Sequence, residues 1–332
     1  MPELNRRTFL TATAATAATA AATAVAGRST AQALEQATTS LYFRHGVASG
    51  DPLPTRVVLW TRITPSASLP PGVGGGPTVS GSWEVGRDQA FERVVDSGTF
   101  TTSPVSDYTV KVDAGGLQPD TAYYYRFIFK GISSRIGRTR TAPALSATPD
   151  NLRFGVVSCS NLQAGFFSPY RHLASRNDLD AILHLGDYLY EYGPGEYGYG
   201  NSDVDIRSHV PAHEMVSLRD YRQRHAQYKQ DVDLQRLHAK LPFIATWDDH
   251  ESANDAYRGG AENHSPETEG DWQSRKAFAH QAYDEWMPTR MSGTAKSGDG
   301  DHLYRGLRFG TLANLSMLDL RSYRSKQVEQ SE

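Results

Sequence analysis

Phe154-Gly155-Val156-Val157-Ser158-Cys159-Ser160, His184-Leu185-Gly186-Asp187-Tyr188-Leu189-Tyr190-Glu191 and Trp247-Asp248-Asp249-His250-Glu251 are three places where a short apolar run gives way to polar or glycine-containing text. The runs over residues 152–157, 181–185 and 241–247 have the length and bounding turns of buried strands. Helical text lies between and beyond them: residues 169–176, a long polar stretch over 218–239, and 271–286, where Trp272, Phe278, Tyr283 and Trp286 recur at roughly helical spacing and read as core. In an open α/β sheet, strand ends on one edge converge on a crevice where ligands bind. A thiol, carboxylates, a phenol and an imidazole from three distant segments are thereby expected in one place. A fourth strand over residues 312–318 is expected to deliver Asp319 and Arg321 to the same edge.

Upstream the text changes. From about residue 41 to 141 it alternates in the β manner, as in Val57-Val58-Leu59-Trp60, Ser82-Trp83-Glu84-Val85 and Tyr123-Tyr124-Tyr125-Arg126-Phe127, with a Pro/Gly-rich loop over 65–77. The string Leu117-Gln118-Pro119-Asp120-Thr121-Ala122-Tyr123 resembles the corner of fibronectin type III sandwiches, where a tyrosine hydroxyl bonds back to nearby backbone. Residues 141–150, with Pro143 and Pro149, read as a linker. The expected organisation is a leader over 1–33, a fibronectin III-like β-sandwich over 34–145 and an α/β domain over 146–332.

The side chains at the strand ends have the chemistry of a metal site. A carboxylate can bridge two cations, a thiolate is a strongly donating ligand, and a phenolate favours a trivalent ion such as ferric iron. Aspartate oxygens suit a second ion such as calcium. Two cations beside a histidine make a phosphoester-cleaving site, in which the metals activate water and the imidazole handles a proton.

At these residues the chain resembles the alkaline phosphatase D family, within the metallophosphoesterase superfamily. Val47-Ala48-Ser49-Gly50-Asp51-Pro52 and Leu318-Asp319-Leu320-Arg321-Ser322-Tyr323-Arg324 extend the likeness over nearly all of the chain after its leader. The resemblance implies a partial four-layer α/β sandwich, with Cys159, Asp187 and Tyr190 holding ferric iron and Asp187 bridging to calcium. It places Asp249 on the second metal, His250 near the leaving oxygen, and Asn254 as a further calcium ligand or phosphate contact. Asp248 is expected to orient His250, and Arg321 either to bind substrate phosphate or to pair with Asp319 or a neighbouring acid.

The implied activity is hydrolysis of phosphate monoesters or diesters by metal-activated hydroxide. Phospholipase D-like cleavage and noncatalytic binding with a vestigial metal site are the alternatives. The family carries an Asp-x-His pair near its C-terminus that has no counterpart here, so the chain reads as a C-terminally shortened copy, expected to be poorly active. Gly298-Asp299-Gly300-Asp301-His302 has similar letters but reads as a solvated loop.

Asn5-Arg6-Arg7-Thr8-Phe9-Leu10, the Ala/Thr-rich stretch after it and Ala31-Gln32-Ala33 resemble a twin-arginine export signal with its cleavage site. The implied partner is the export machinery, and the implied location is outside the cytoplasm, periplasmic, cell-wall associated or secreted. The stretch is too weakly apolar for a membrane span, which needs about 20 strongly apolar residues. With 332 residues, 39% hydrophobic and 21% charged, the composition is that of a globular protein large enough for two domains. A net charge of -3 gives no electrostatic ground for nucleic acid or an anionic membrane as partner. The single cysteine excludes an intrachain disulfide, leaving Cys159 buried, reactive or metal-bound.

Among the other histidines, His184 reads as a hydrogen-bonded core group. Pro211 between His209 and His213 argues for a loop there. Residues 193–201, with Tyr197 and Tyr199, read as a flexible rim of the site.

Overall fold

The computed structural model describes residues 41–197, 206–291 and 302–328. The expected export signal and Tyr199, Asp299 and Asp301 lie outside them. The first part holds β1 (Val47–Gly50), β2 (Val57–Arg62), β3 (Val79–Gly86), β4 (Val94–Thr102), β5 (Thr109–Ala114), β6 (Ala122–Phe129), β7 (Ile132–Ser133) and β8 (Gly137–Arg140). β4, β3, β6 and β7 form one antiparallel sheet, with β8 also on β6.

Alternation of apolar and polar residues explains why this sheet packs on one face. Along β6, Tyr123, Tyr125, Phe127 and Phe129 are buried while their neighbours are half-exposed, the period of two expected of a half-covered strand. They share a core with Val47, Val57, Leu59 and Val110 of β1, β2 and β5, so two sheets face each other. At the corner, the Tyr123 hydroxyl accepts from the Gln118 N–H at 2.8 Å, closing the turn before β6.

The second sheet does not stop with the first part. β9 (Phe154–Val157), β10 (Ala181–Leu185) and β11 (Phe243–Thr246) are parallel to one another, and β11 pairs in parallel with β1, giving the six-strand order β5-β2-β1-β11-β10-β9. The join is Gly50 opposite Phe243, followed by Asp51 N–H donating to the Phe243 carbonyl at 3.0 Å. Glycine is required there: a Cβ on residue 50 would lie 2.1 Å from the Pro288 carbonyl oxygen. Beside it the fully buried Asp51 carboxylate accepts two bonds from Arg305, each 2.6 Å, and one from the Arg290 N–H at 2.6 Å.

Helices α1 (Ser168–Ser175), α2 (Leu218–Lys229), α3 (Val232–Lys240) and α4 (Trp272–Trp286) cover one face of β9–β11. The single helix expected over 218–239 is two. Asp231 breaks it by capping α3, its side chain accepting from the Asp233 and Leu234 N–H groups. Ser217 and Asp220 form a capping box at the start of α2.

The other face carries a hairpin of β12 (Arg305–Phe309) and β13 (Ala313–Met317), whose Leu307, Phe309 and Met317 pack on Ala181 and Ile244. The strand expected over 312–318 is therefore not a fourth strand of the parallel sheet. It pairs with β12 in a separate layer and reaches the edge through the Leu318 carbonyl, which accepts from Thr246 Oγ1 at 2.8 Å. Among the described residues β9 ends the sheet, and Val156, Leu185, Leu318 and Leu320 are exposed.

Candidate metal centre

Parallel strands place their C-terminal ends side by side, and the turns after β9, β10 and β11 interlock there. Cys159 N–H donates to the Gly186 carbonyl at 3.2 Å and Ser160 N–H to the Asp187 carbonyl at 2.9 Å. Gly186, at φ +102°, admits the third turn, since a Cβ would stand 2.3 Å from the Asp248 nitrogen. Cys159 and Asp187 themselves adopt left-handed backbone, φ 56° and 51°, which costs energy in residues with a Cβ and is characteristic of constrained functional sites.

A buried carboxylate ties the turns together. Glu251 accepts from the backbone N–H groups of Asp187 (3.2 Å), Tyr188 (2.6 Å) and Asp248 (2.9 Å). Burial and then Asp187 push its pKa up to about 8, against the pull of those amides.

Around Asp187 the expected ligands converge. Its Oδ2 accepts from Cys159 Sγ at 3.4 Å and from the Tyr190 hydroxyl at 3.2 Å, while its Oδ1 is buried with no partner. Asp187, Asp249 and His250 each offer a ligand atom, all within 4.8 Å of one another. Burial raises the Asp187 pKa, His250 opposes it, and Asp249 and Asp248 add to it. Burial, and then the Asp187 carboxylate, hold the Tyr190 phenol well above its ordinary range. Cys159 is exposed, with burial of the thiol and the nearby Asp187 pushing its pKa up against a bond from Ser158. Such a set, with one orphaned oxygen among raised acids, fits a cation.

The acid expected to orient His250 is the wrong one. His250 Nδ1 lies 2.8 Å from Oε2 of the fully buried Glu191, whereas Asp248 bonds Arg321. Arg321 Nε and Nη2 hold the Asp248 carboxylate, which turns it away from the imidazole. Glu191 is itself fixed by the Asn254 N–H at 2.6 Å. The imidazole stacks on Tyr190 at 4.2 Å between centroids, with Tyr197 at 5.9 Å. Burial alone would lower the His250 pKa; Glu191 above all, then Asp187 and Asp249, outweigh it and hold it at about 9.

Arg321 makes ion pairs. Its Nε and Nη2 grip Asp248 at 2.5 and 3.1 Å, Nη2 reaches Asp249 at 3.3 Å and Nη1 reaches Asp255 at 3.3 Å. Asp319 instead accepts from the backbone N–H groups of Arg321 and Ser322. Asn254 directs its amide nitrogen to Glu262 at 3.0 Å.

His184 bonds the Tyr170 hydroxyl and the Gly186 N–H inside the core, and His209 and His213 lie in a loop. His302 bonds the Tyr323 hydroxyl at 3.0 Å. A cavity of about 490 Å³ opens beside Cys159, walled by Val156, Ala164, Phe166 and Tyr170. Sequence reasoning missed Glu191 and Glu251. Their signal was a charged residue next to the motif words, in the aromatic run Tyr188 to Tyr192 and directly after His250.

Comparison with known proteins accords with this arrangement. Residues 154–332 match the family model of PhoD-like phosphatase, and residues 27–143 that of the PhoD-like phosphatase N-terminal domain. Alkaline phosphatase D of Bacillus subtilis (strain 168) is 41% identical over 292 residues, covering 87% of this chain and 48% of that protein. A solved structure of PhoD superposes with a TM-score of 0.79 at 41% identity, over 86% of this chain and 53% of that one. The chain thus spans about half the length of the relatives it matches. Its two parts, the strand-end turns and the interlocked carboxylates belong together: the chain is a member of the PhoD-like phosphatase family.

Proposed function

We propose that the strand-end site is the metal centre of a phosphoric ester hydrolase acting on phosphate monoesters or diesters. The observation that carries this reading is the convergence of Asp187, Asp249 and His250 around a buried, unpartnered carboxylate oxygen in a PhoD-like phosphatase chain. Cys159, Asp187 and Tyr190 would hold ferric iron, with Asp187 and Asp249 facing calcium. Cys159 and Tyr190 both donate to one oxygen of Asp187, a role that a cation takes over when thiolate and phenolate become its ligands. When bound, the cations supply the Lewis acidity that activates water and offsets phosphoryl charge.

The protein's own groups do the rest. Glu191 holds Nδ1 of His250, leaving Nε2 to give a proton to the departing ester oxygen. Arg321, engaged with Asp248 and Asp249, positions the second-metal carboxylate instead of meeting substrate. The same reading takes the first part as fibronectin III-like, residues 146–332 as part of a metallophosphoesterase domain, and the protein as exported by the twin-arginine route. Among the described residues no helix is long and apolar enough to cross a membrane. The apolar wall of Val156 and Phe166 beside Cys159 favours, as a second reading, diesters with an apolar group, such as phospholipids.

The test is metal content and bis(nitrophenyl) phosphate hydrolysis of the purified chain loaded with iron and calcium, beside Asp187→Asn. Stoichiometric metal lost in the variant is the expected result. Equal metal content in both proteins overturns the assignment.

A further inference from the structure

At the sheet edge opposite the metal centre, four cations line one cavity of about 450 Å³: Arg135, Arg138, Arg236 and Lys240. Arg138 belongs to β8, and Arg236 and Lys240 to α3. No carboxylate lines the cavity, while Tyr124 and Gln89 add neutral hydrogen-bonding groups. Lys240 precedes β11 and Asn177, its hydrogen-bond partner at 2.6 Å, precedes β10, so the cavity lies at the N-terminal ends of these strands. The metal residues follow the C-terminal ends, and the five residues of β10 alone separate the two by roughly 15 Å.

These charges are only partly neutralised within the protein, Arg138 also facing an adjoining cavity that carries Asp120, Asp150, Asp178 and Asp180. Arg236 bonds Asp233 at 2.9 Å, but that carboxylate also serves Arg171 at 2.7 Å. Arg135 and Arg138 form no ion pair among the described residues. Burial, and the positive charge of Arg236, hold the Arg135 guanidinium below its ordinary value. Like charges gathered around one cavity repel one another, and an anion between the guanidinium groups would relieve this. Guanidinium forks match phosphoryl oxygens two at a time, and four cations suit an anion of more than one charge better than a lone carboxylate.

We propose that this cavity binds a phosphate-bearing anion at a site separate from the metal centre. The proposal does not depend on the hydrolytic reading, because none of its residues belongs to the strand-end turns.

The test is calorimetric titration of the full chain, treated with chelator, with inorganic phosphate and with tripolyphosphate. Saturable binding is expected, weakened roughly tenfold or more in Arg135→Gln/Arg138→Gln. It should be unchanged in Asp187→Asn. Both arginines are free of ion pairs, so the double variant should melt like the parent; Lys240→Met, which keeps the apolar stem, is the second variant and should also weaken binding. Binding of inorganic phosphate assigns the free ion, and binding of tripolyphosphate alone assigns a longer phosphate chain. Absence of saturable binding, equal affinity in both arginine and lysine variants, loss in Asp187→Asn, or displacement by equimolar acetate would overturn the proposal.

Discussion

His250 Nδ1 lies 2.8 Å from Oε2 of Glu191, a carboxylate with no exposed surface, and this pair fixes which face of the imidazole meets the crevice. Glu191 stabilises the charged ring and raises its pKa to about 9 from the ordinary 6.5. In chelator-treated protein the pair therefore adds stability that is fully present below about 6.5 and lost as pH rises through about 9. Glu191→Gln should flatten that dependence and lower the His250 titration midpoint, followed by the ring-proton NMR signal against pH. An unchanged midpoint would remove Glu191 from the role.

A proton donor to the leaving oxygen matters most where that oxygen departs poorly. His250→Ala should reduce turnover strongly for alkyl esters and least for nitrophenyl esters. Metal analysis runs alongside, because His250 also sits within the ligand cluster. Uniform losses accompanied by metal loss would make it a ligand.

Tyrosinate on ferric iron absorbs visible light. The iron-loaded protein should be coloured, and Tyr190→Phe, which removes the hydroxyl now 3.2 Å from Asp187, should bleach it. Zinc as the sole bound metal, found by elemental analysis, would end the iron and calcium assignment.

Glu251 offers a test of how the turns are held. Glu251→Leu leaves the Tyr188 and Asp248 amides without their acceptor, and each such buried donor costs about 1–3 kcal/mol. A lower denaturant midpoint is expected, with metal affinity reduced roughly 10–100-fold because Asp187 and Asp249 lose their spacing. Stability equal to the parent would show that water replaces the carboxylate.

Much of this was legible in the chain, and the misses have physical causes. The alternation of β6 and the three apolar runs announced themselves, because a strand covered on one or both faces leaves a local pattern. The helix break at Asp231 was present only as a capping side chain inside polar text, where periodicity is weak. β13 was recognised as a strand and misplaced, since its partner is chosen by a hairpin and a packing face, neither of which is local. Cys159, Asp187, Tyr190, Asp249 and His250 were brought together as read, with Asn254 turned aside to Glu262. Choosing between Asp248 and Glu191 needed the direction of each side chain, which the order of letters does not give.

The seam at Gly50 and Asp51 bears on how the molecule comes apart. A boundary near residue 145 divides the text, yet β1 rests on β11, and among the described residues the Asp51 carboxylate takes its hydrogen bonds from Arg290 and Arg305, far along the chain. Cutting at the linker would strand a buried negative charge, typically a loss of about 3–5 kcal/mol, and bare the edge of β1. Heating should then show one cooperative transition for both halves, with Asp51→Ala lowering it throughout. Excised residues 41–145 should melt well below the parent or fail to fold; two separate transitions in the intact chain would mean that the halves stand alone. In folding terms the two parts are one unit, closed by residues more than two hundred positions apart.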